Sequence, residues 1–521
     1  MADHHRRGYA RQSRLAARKH GAGSEPARAI WPGIFGGRYR PLDSEDVEQI
    51  HQTVVQILES VGLQGASKKC IDVIVKAGGR VTQDGRLQIP EPLLDKALEL
   101  AGRGFHLHAL DPVHDINPSA TRIHLGTSGA AVSVVDSDTR NLRPSVLSDL
   151  YDMARLANVL ANIHMFQRVC VPCDIEDPRE MDINTLFACL AGTSKHIGTS
   201  FVNETHMHEG IEMMHMVSGG AKNWIDRPFM CVSTCFIVPP LTFAEEALGV
   251  IECAARTGTP LKLVSAGQAG ATSPAPLAGA IALQSAEVLS GLVYVNLLNP
   301  GHPALFGALP FVSDLRTGSM SGGSAEQGLL MAGCAQMAQY YRLPCAVSAG
   351  MTDSKLPDFQ AGYEKGCTEL LSALAGANLI YEAAGMYGSL LACSPESFVL
   401  DNDLIGCVLR ATRGIEVSPE TLSIDAIRDV CLHGPGHFLG HSQTLSRMQS
   451  DYYYPQLADR VTPLEWQEKE GPELLELARS RTREILAQPH PDHLSGDLEQ
   501  AIRKRFPIRL KNRSHAPQAP A

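Results

Sequence analysis

Continuous apolar, β-rich runs alternating with longer segments of helical patterning constrain this chain more than any other feature. The runs fall at about 229–238, 260–265, 292–298, 303–309, 344–349 and 378–384, and helical segments at 242–257, 276–290, 324–341 and 360–375. A strand that is apolar on both faces has to be covered on both, which calls for a parallel sheet under packed helices. At this number of repeats the economical closure is an α/β fold of the (β/α)8 TIM-barrel type. A doubly wound open sheet is the alternative, weakened because no strand leads into G-x-G-x-x-G or G-x-x-x-x-G-K-[ST]. Nucleotide cofactors are unsupported for the same reason. Ahead of these runs, Arg122 to Leu142 reads as β-rich segments joined by turns.

The globular part begins near Pro41. Asp43 or Ser44 can cap a helix in which Val47, Ile50, Val54, Ile57 and Leu58 recur at helical spacing until Gly62, and a second helix spans about 91–102. The expected organisation is a flexible basic tail over 1–40 with eight arginines, a helical N-terminal extension over 41–110, the barrel over 111–480 and a C-terminal extension over 481–521.

With 46 Lys and Arg against 56 Asp and Glu in 521 residues, the net charge is −10. That balance lacks the basic stripe a nucleic-acid backbone demands, so no nucleic acid is expected as partner. No uncharged run reaches the ~18 apolar residues that span a bilayer, and the N-terminus lacks the apolar region of a secretory signal. No membrane partner and a cytoplasmic location are expected. The thirteen cysteines are an odd number, set mostly in apolar runs such as those of Cys231, Cys235, Cys253, Cys345 and Cys407, and read as reduced core residues. Cys170-Val-Pro-Cys173 has redox or zinc spacing but no second pair, so no metal is expected there.

In a barrel, chemistry belongs at the C-terminal ends of the strands. Reading those ends gives Gln268, Asn299, Asp314, Arg316, Thr352, Asp353, Lys355, Glu382 and Tyr387. The stretch "GMTDSKLPDFQAGYEKG" sets Asp353, Lys355, Asp358 and Gln360 between a strand and a helix. It is either an active-site loop or a turn in which Asp358 starts the helix. Arg316 can grip a carboxylate through two hydrogen bonds, or pair with Asp314. His433, His437 and His441 stand four residues apart, but Gly434, Pro435, Gly436 and Gly440 disfavour the continuous helix a zinc site would need. Histidines that hydrogen-bond an anion or a carbonyl are the preferred reading.

In "GGRYRPLDSEDVEQIHQTVVQILESVG", "HLGTSGAAVSVVD", "LRPSVLSDLYDMARLAN", "GTSKHIG", "AGATSPAPLAGAIALQSAEVLSGLVYVNLLNPGHPALFG", "SDLRTGSMSGG", "TDSKLPDFQAGYEKG", "GHFLGHSQTLSRMQSDYYYPQLADR" and "AIRKRFPIRL", the chain resembles the trimethylamine methyltransferase (MttB-like) superfamily from about residue 35 onward. The resemblance implies a barrel that moves a methyl group from a small methylated amine to the cobalt of a separate corrinoid protein, with no tightly bound cofactor of its own. Against that background Asp3 to Gly8, which matches the cobalt-ligating D-x-H-x-x-G loop, is read as chance, since it follows no strand. The founding members carry pyrrolysine, whose electrophilic imine takes trimethylamine, in or near what is here the 352–360 loop. This chain has standard residues only, as do relatives acting on glycine betaine, proline betaine and carnitine. A quaternary ammonium substrate is therefore implied.

The expected pocket is an acidic and aromatic cage for the cation, with Asp353 and Glu382 as its catalytic carboxylates and Tyr381 and Tyr387 adding aromatic faces. Arg316 and His437 or His441 would hold a betaine carboxylate, and Gln268, Asp358 and Gln360 complete the substrate-binding set. The cognate corrinoid protein and a second copy of the chain are the expected partners. A non-catalytic barrel that binds quaternary ammonium ions, or methyl transfer from another onium donor such as a sulfonium, are the alternatives.

Overall fold

The computed structural model describes residues 28–136 and 139–511; the D-x-H-x-x-G match and most of the basic tail lie outside the described residues. Eight parallel strands follow one another around a ring. They are β1 (Arg122–Gly126), β2 (Met165–Gln167), β3 (His196–Thr199), β4 (Met230–Cys235), β5 (Leu261–Ser265), β6 (Ala304–Ala308), β7 (Ala346–Val347) and β8 (Leu379–Tyr381). Each pairs with its chain neighbour from β1 to β6, and β7 pairs with β8, which pairs back onto β1. The seam between β6 and β7 closes through a parallel bridge from Phe306 to Cys345, where Phe306 N–H donates to the Pro344 carbonyl at 2.8 Å. Closure leaves the barrel no strand edge.

A helix follows every strand: α1 (Leu147–Val159), α2 (Pro178–Gly192), α3 (Glu204–Ser218), α4 (Glu245–Thr257), α5 (Leu277–Leu298), α6 (Ala325–Tyr341), α7 (Phe359–Ala375) and α8 (Pro395–Arg413). The chain is a (β/α)8 barrel. A helical N-terminal segment precedes it, beginning with Ser44–Gln56. Asp43 caps that helix by accepting from Glu45 N at 2.8 Å and Asp46 N at 2.9 Å, while the Asp46 carboxylate accepts from Asp43 N.

Two details differ from the sequence expectation. The run at 292–298 is the last part of α5, a single 22-residue helix, and Asn299 is its C-cap rather than a strand end. Barrel strands cover α5 on one side, and Ser44–Gln56 and Glu91–Leu100 pack against it as well. A helix covered all round is apolar all round and loses its 3.6-residue signature. By length and composition it could cross a membrane, yet 89% of its most apolar window is buried within the protein. The other difference is the presence of β2 and β3, three and four residues long, with no extended apolar run to announce them.

Beyond the strand ends, two small sheets organise the loops. Gln268–Ala269 pairs with Phe311–Val312, joining the loops after β5 and β6. Strands Met386–Tyr387, Ala392–Cys393, Ser133–Val135 and Leu142–Pro144 join the loops after β8 and β1. Residues 415–454, with the described part of 1–31, form a separate compact unit. Its short helices are Ile424–Arg428 and Ser442–Arg447, with a π-helical turn at Asp429–His433.

Candidate active site

Strand ends carry a cluster of buried polar side chains inside the barrel. Lys262, the second residue of β5, is flanked by apolar residues in sequence yet points its ammonium at the Gln167 amide oxygen of β2, 2.6 Å away. Ser233 of β4 donates to the same oxygen at 3.2 Å. The Lys262 Nζ also lies 3.1 Å from the centre of the Tyr381 ring, a close cation–π contact. Burial disfavours the charged amine and pulls its pKa down to about 8. The Tyr381 hydroxyl is buried without a hydrogen-bond partner among the described residues.

Glu382 follows Tyr381 directly. Its φ of 126° is a backbone state that side-chain-bearing residues rarely adopt, and such strain persists where surrounding contacts hold it. Here Ala383 N–H donates to the Gly126 carbonyl at the end of β1, at 3.1 Å, and the Ser348 hydroxyl donates to the Glu382 carboxylate. Gly350, at φ 97°, brings the loop after β7 so close that an added Cβ would stand 2.5 Å from Ala383 Cα. Burial pushes the Glu382 carboxyl up to about 8, against the pull of the positive charges on Lys262 and Lys365. Cys235, at the end of β4, senses Lys262, Arg168 and Glu382 together, and burial raises its thiol. These groups share one electrostatic field.

The other residues expected from the sequence take varied places. Asp353 ties three loops together: it accepts from Ser321 Oγ at 2.5 Å and Gly322 N at 2.6 Å after β6, and from Ser389 Oγ at 2.6 Å after β8. Asp358 caps α7 by accepting from Ala361 N at 3.0 Å, and Gln360 donates to Glu364 at 2.8 Å. Gln268 accepts from Ser313 Oγ at 3.0 Å. Tyr387 is buried, with Ser397 donating to its hydroxyl at 2.6 Å and Lys365 Nζ 5.2 Å from its ring centre. Each tyrosine expected to face a substrate cation therefore faces a lysine of the chain.

Arg316 stands on the loop after β6 with its side chain 88% exposed, bonded to both oxygens of Asp314 at 3.0 and 2.6 Å. His437 and His441 belong to the 415–454 unit. His437 is exposed, and His441 caps the helix Ser442–Arg447 by accepting from Gln443 N at 3.2 Å, with Asp429 3.5 Å away. Sequence reading missed Gln167, Lys262 and Ser348. Their signal was faint: a lone Lys in "LKLVS" and a Gln-Arg pair in "FQRVC", polar residues inside otherwise apolar strands.

A closed barrel with buried, pKa-shifted acid and base groups at its strand ends is the architecture of a barrel enzyme. The model of the trimethylamine methyltransferase (MTTB) family matches residues 7–514, and the chain belongs to that family. It is similar to the glycine betaine methyltransferase of Desulfitobacterium hafniense strain Y51, 29% identical over 89% of this chain and 96% of the relative. It is also similar to trimethylamine methyltransferase MttB of D. hafniense strain DCB-2, 30% identical over 89% of this chain and 92% of the relative, and to MttB of Methanosarcina thermophila, 31% identical over 91% and 98%. The chain is an enzyme of the methyltransferase type.

Proposed function

We propose that this enzyme takes a methyl group from a quaternary amine, glycine betaine or a related betaine, and passes it to the Co(I) of a separate corrinoid protein. The state of the 352–360 loop carries the reading. Asp353, Asp358 and Gln360 are committed to holding the loop, and the Lys355 ammonium donates to the Asp353 carbonyl at 2.6 Å. Nothing there offers an electrophile that could first capture a neutral tertiary amine. A quaternary nitrogen needs no capture, because it already carries the charge that makes a neutral amine the leaving group.

The partner's corrinoid supplies the nucleophile. As it attacks in line, the C–N bond breaks with its electron pair left on nitrogen, the methyl group bonds to cobalt through the cobalt's own pair, and no proton moves. This chain's residues bind and orient. Glu382 is the acid proposed to face the onium; a bound cation would draw the proton from it, as Lys262 and Lys365 already do in part. Tyr381 supplies apolar surface, and Asp353 positions the loops after β6, β7 and β8. The thirteen cysteines stand as free thiols, in keeping with a cytoplasmic site of action.

Mixing the enzyme, a reduced corrinoid protein and candidate donors tests the reading. Glycine betaine or a related betaine should give methylated corrinoid, seen by absorbance, together with the demethylated amine, and trimethylamine should give neither. Turnover of trimethylamine with none of any quaternary amine would overturn the substrate assignment.

A further inference from the structure

A small cavity of about 120 Å³ opens where the ends of β2 and β3 meet the first turns of α2. Arg168, the residue after β2, lines it together with Thr185 and Ser200. Two guanidinium nitrogens of Arg168, Nε and Nη2, converge on a single neutral acceptor, Ser200 Oγ, at 3.0 and 2.8 Å. No carboxylate stands within ion-pair distance of it among the described residues. Elsewhere the chain treats arginine differently: Arg143, Arg179, Arg316 and Arg505 each bond a carboxylate at the surface, at 2.6 to 2.8 Å. A guanidinium with five N–H donors, enclosed and served by one hydroxyl, is built for an anion the protein does not itself provide.

Asp182 shares the lining without filling that role. Its Oδ2 accepts from Val202 N at 2.9 Å and bonds His206 Nδ1 at 2.8 Å, so its charge is turned to the loop after β3 and to α3; burial raises its carboxyl against those contacts. Phe201 and Met181 give the remaining wall apolar surface. Arg168 directly follows Gln167, whose amide oxygen accepts from Lys262 at 2.6 Å, so the cavity and the candidate site adjoin at the end of β2. The Arg168 charge depresses the Lys262 amine and reaches the Cys235 thiol, and both of those groups interact with Glu382. Of the groups that line the cavity, Asp182 is held by Val202 N and His206, which leaves the Arg168 guanidinium as the charge open to the anionic end of a ligand.

We propose that Arg168, with Ser200 and Thr185, forms the carboxylate-binding subsite of the substrate pocket and selects betaines over methylated amines that lack a carboxylate. The proposal rests on the reading that the donor is a betaine. A planar carboxylate meets guanidinium through two parallel hydrogen bonds, with the hydroxyls as further donors, and a simple tetraalkylammonium ion has no group to place there. Arg168 acts on binding and discrimination rather than on the breaking bond.

Calorimetric titration of the full-length chain, with no corrinoid present, tests this directly. The ligands are glycine betaine and tetramethylammonium, and the variants are Arg168→Gln and the near-isosteric Thr185→Val. Arg168→Gln should weaken glycine betaine binding ~10–100-fold, the range of a charge-assisted bidentate contact, and Thr185→Val a few-fold, with tetramethylammonium binding unchanged in both. Should Arg168→Gln not fold, Thr185→Val and a structure of the wild-type complex decide, since the carboxylate must lie on Arg168. Unchanged betaine affinity in the variants, equal losses for both ligands, a carboxylate seated elsewhere, or no betaine binding by the wild type would overturn the subsite. Failure of the methyl-transfer reading looks different: betaine would bind through Arg168, yet no methylated donor would yield methylated corrinoid.

Discussion

Glu382 holds opposing demands in one residue. Its burial favours the neutral acid, while Lys262 and Lys365 favour the carboxylate, and the balance leaves its pKa raised from 4.5 to about 8. Between those values the folded chain keeps a proton that the unfolded chain has lost. Stability from this group therefore falls as pH rises from about 4.5 and is lost once pH passes about 8. Lys262 acts in the opposite sense and higher up: with its pKa lowered to about 8, the folded chain gains relative stability only as pH climbs from there toward the ordinary 10.5. Glu382→Gln should remove the first effect and, by taking away a carboxylate that holds the Lys262 amine up, move the second to lower pH. Denaturant unfolding at about pH 5.5 and about pH 8 is expected to show the wild type losing a few kcal/mol more than the variant over that interval, since each pKa unit corresponds to about 1.4 kcal/mol. An equal loss in both proteins would mean that Glu382 titrates normally. Arg316→Ala, which removes only an exposed pair with Asp314, should leave the melting temperature where it was.

At the scale of elements, α5 shows both how the barrel is held and why part of it was hard to read. Its Glu287 is buried on the barrel-facing side, accepting from Leu241 N at 2.7 Å in the loop after β4 and from Ser265 Oγ at 2.5 Å at the end of β5. One side chain thus joins two strand ends to one helix. Glu287→Ala would orphan the buried Leu241 N–H, at about 1–3 kcal/mol, while the Ser265 hydroxyl keeps Gln284 Oε1 at 2.8 Å as its acceptor. Urea unfolding should show a loss in that range; a loss under ~0.5 kcal/mol would mean the loop relaxes to find other partners. The helix at Phe359–Ala375 and the cap at Asp43 were legible because amphipathic spacing and capping chemistry are local signals. The end of α5 was misread as a strand because it is covered all round, and β2 and β3 were invisible because Gln167-Arg168 and Lys195-His196 break the apolar runs that announce the equally short β7 and β8. In the candidate site, Glu382 and Tyr381 could be found from their place at a strand end. Lys262 could not, because a lysine within an apolar run gains meaning only when closure brings Gln167 and Tyr381 around it.

The whole molecule can be probed through its cysteines, which sample the barrel wall, the strand ends and the 415–454 unit. Eight thiols are buried, among them Cys189 in α2, Cys231 in β4 and Cys334 in α6, while Cys173, Cys235, Cys367, Cys407 and Cys431 are exposed. A thiol reagent acts on the thiolate, so accessibility and pKa together set the order of reaction. Burial raises the Cys235 and Cys407 thiols, which should make these two the slowest of the exposed five. The native enzyme is expected to release five equivalents from an aromatic disulfide reagent and thirteen after denaturation without reductant. Fewer than thirteen would reveal a disulfide. Cys235 carries the more specific expectation, because it alone of the five interacts with Lys262, Arg168 and Glu382. If those residues surround the donor, a saturating betaine should slow Cys235 selectively, with Cys173, Cys367 and Cys431 reacting at their former rates, as mass spectrometry of the labelled peptides would show. Equal slowing of all five would point to a general tightening of the fold, and no slowing of Cys235 would place the donor away from the end of β4.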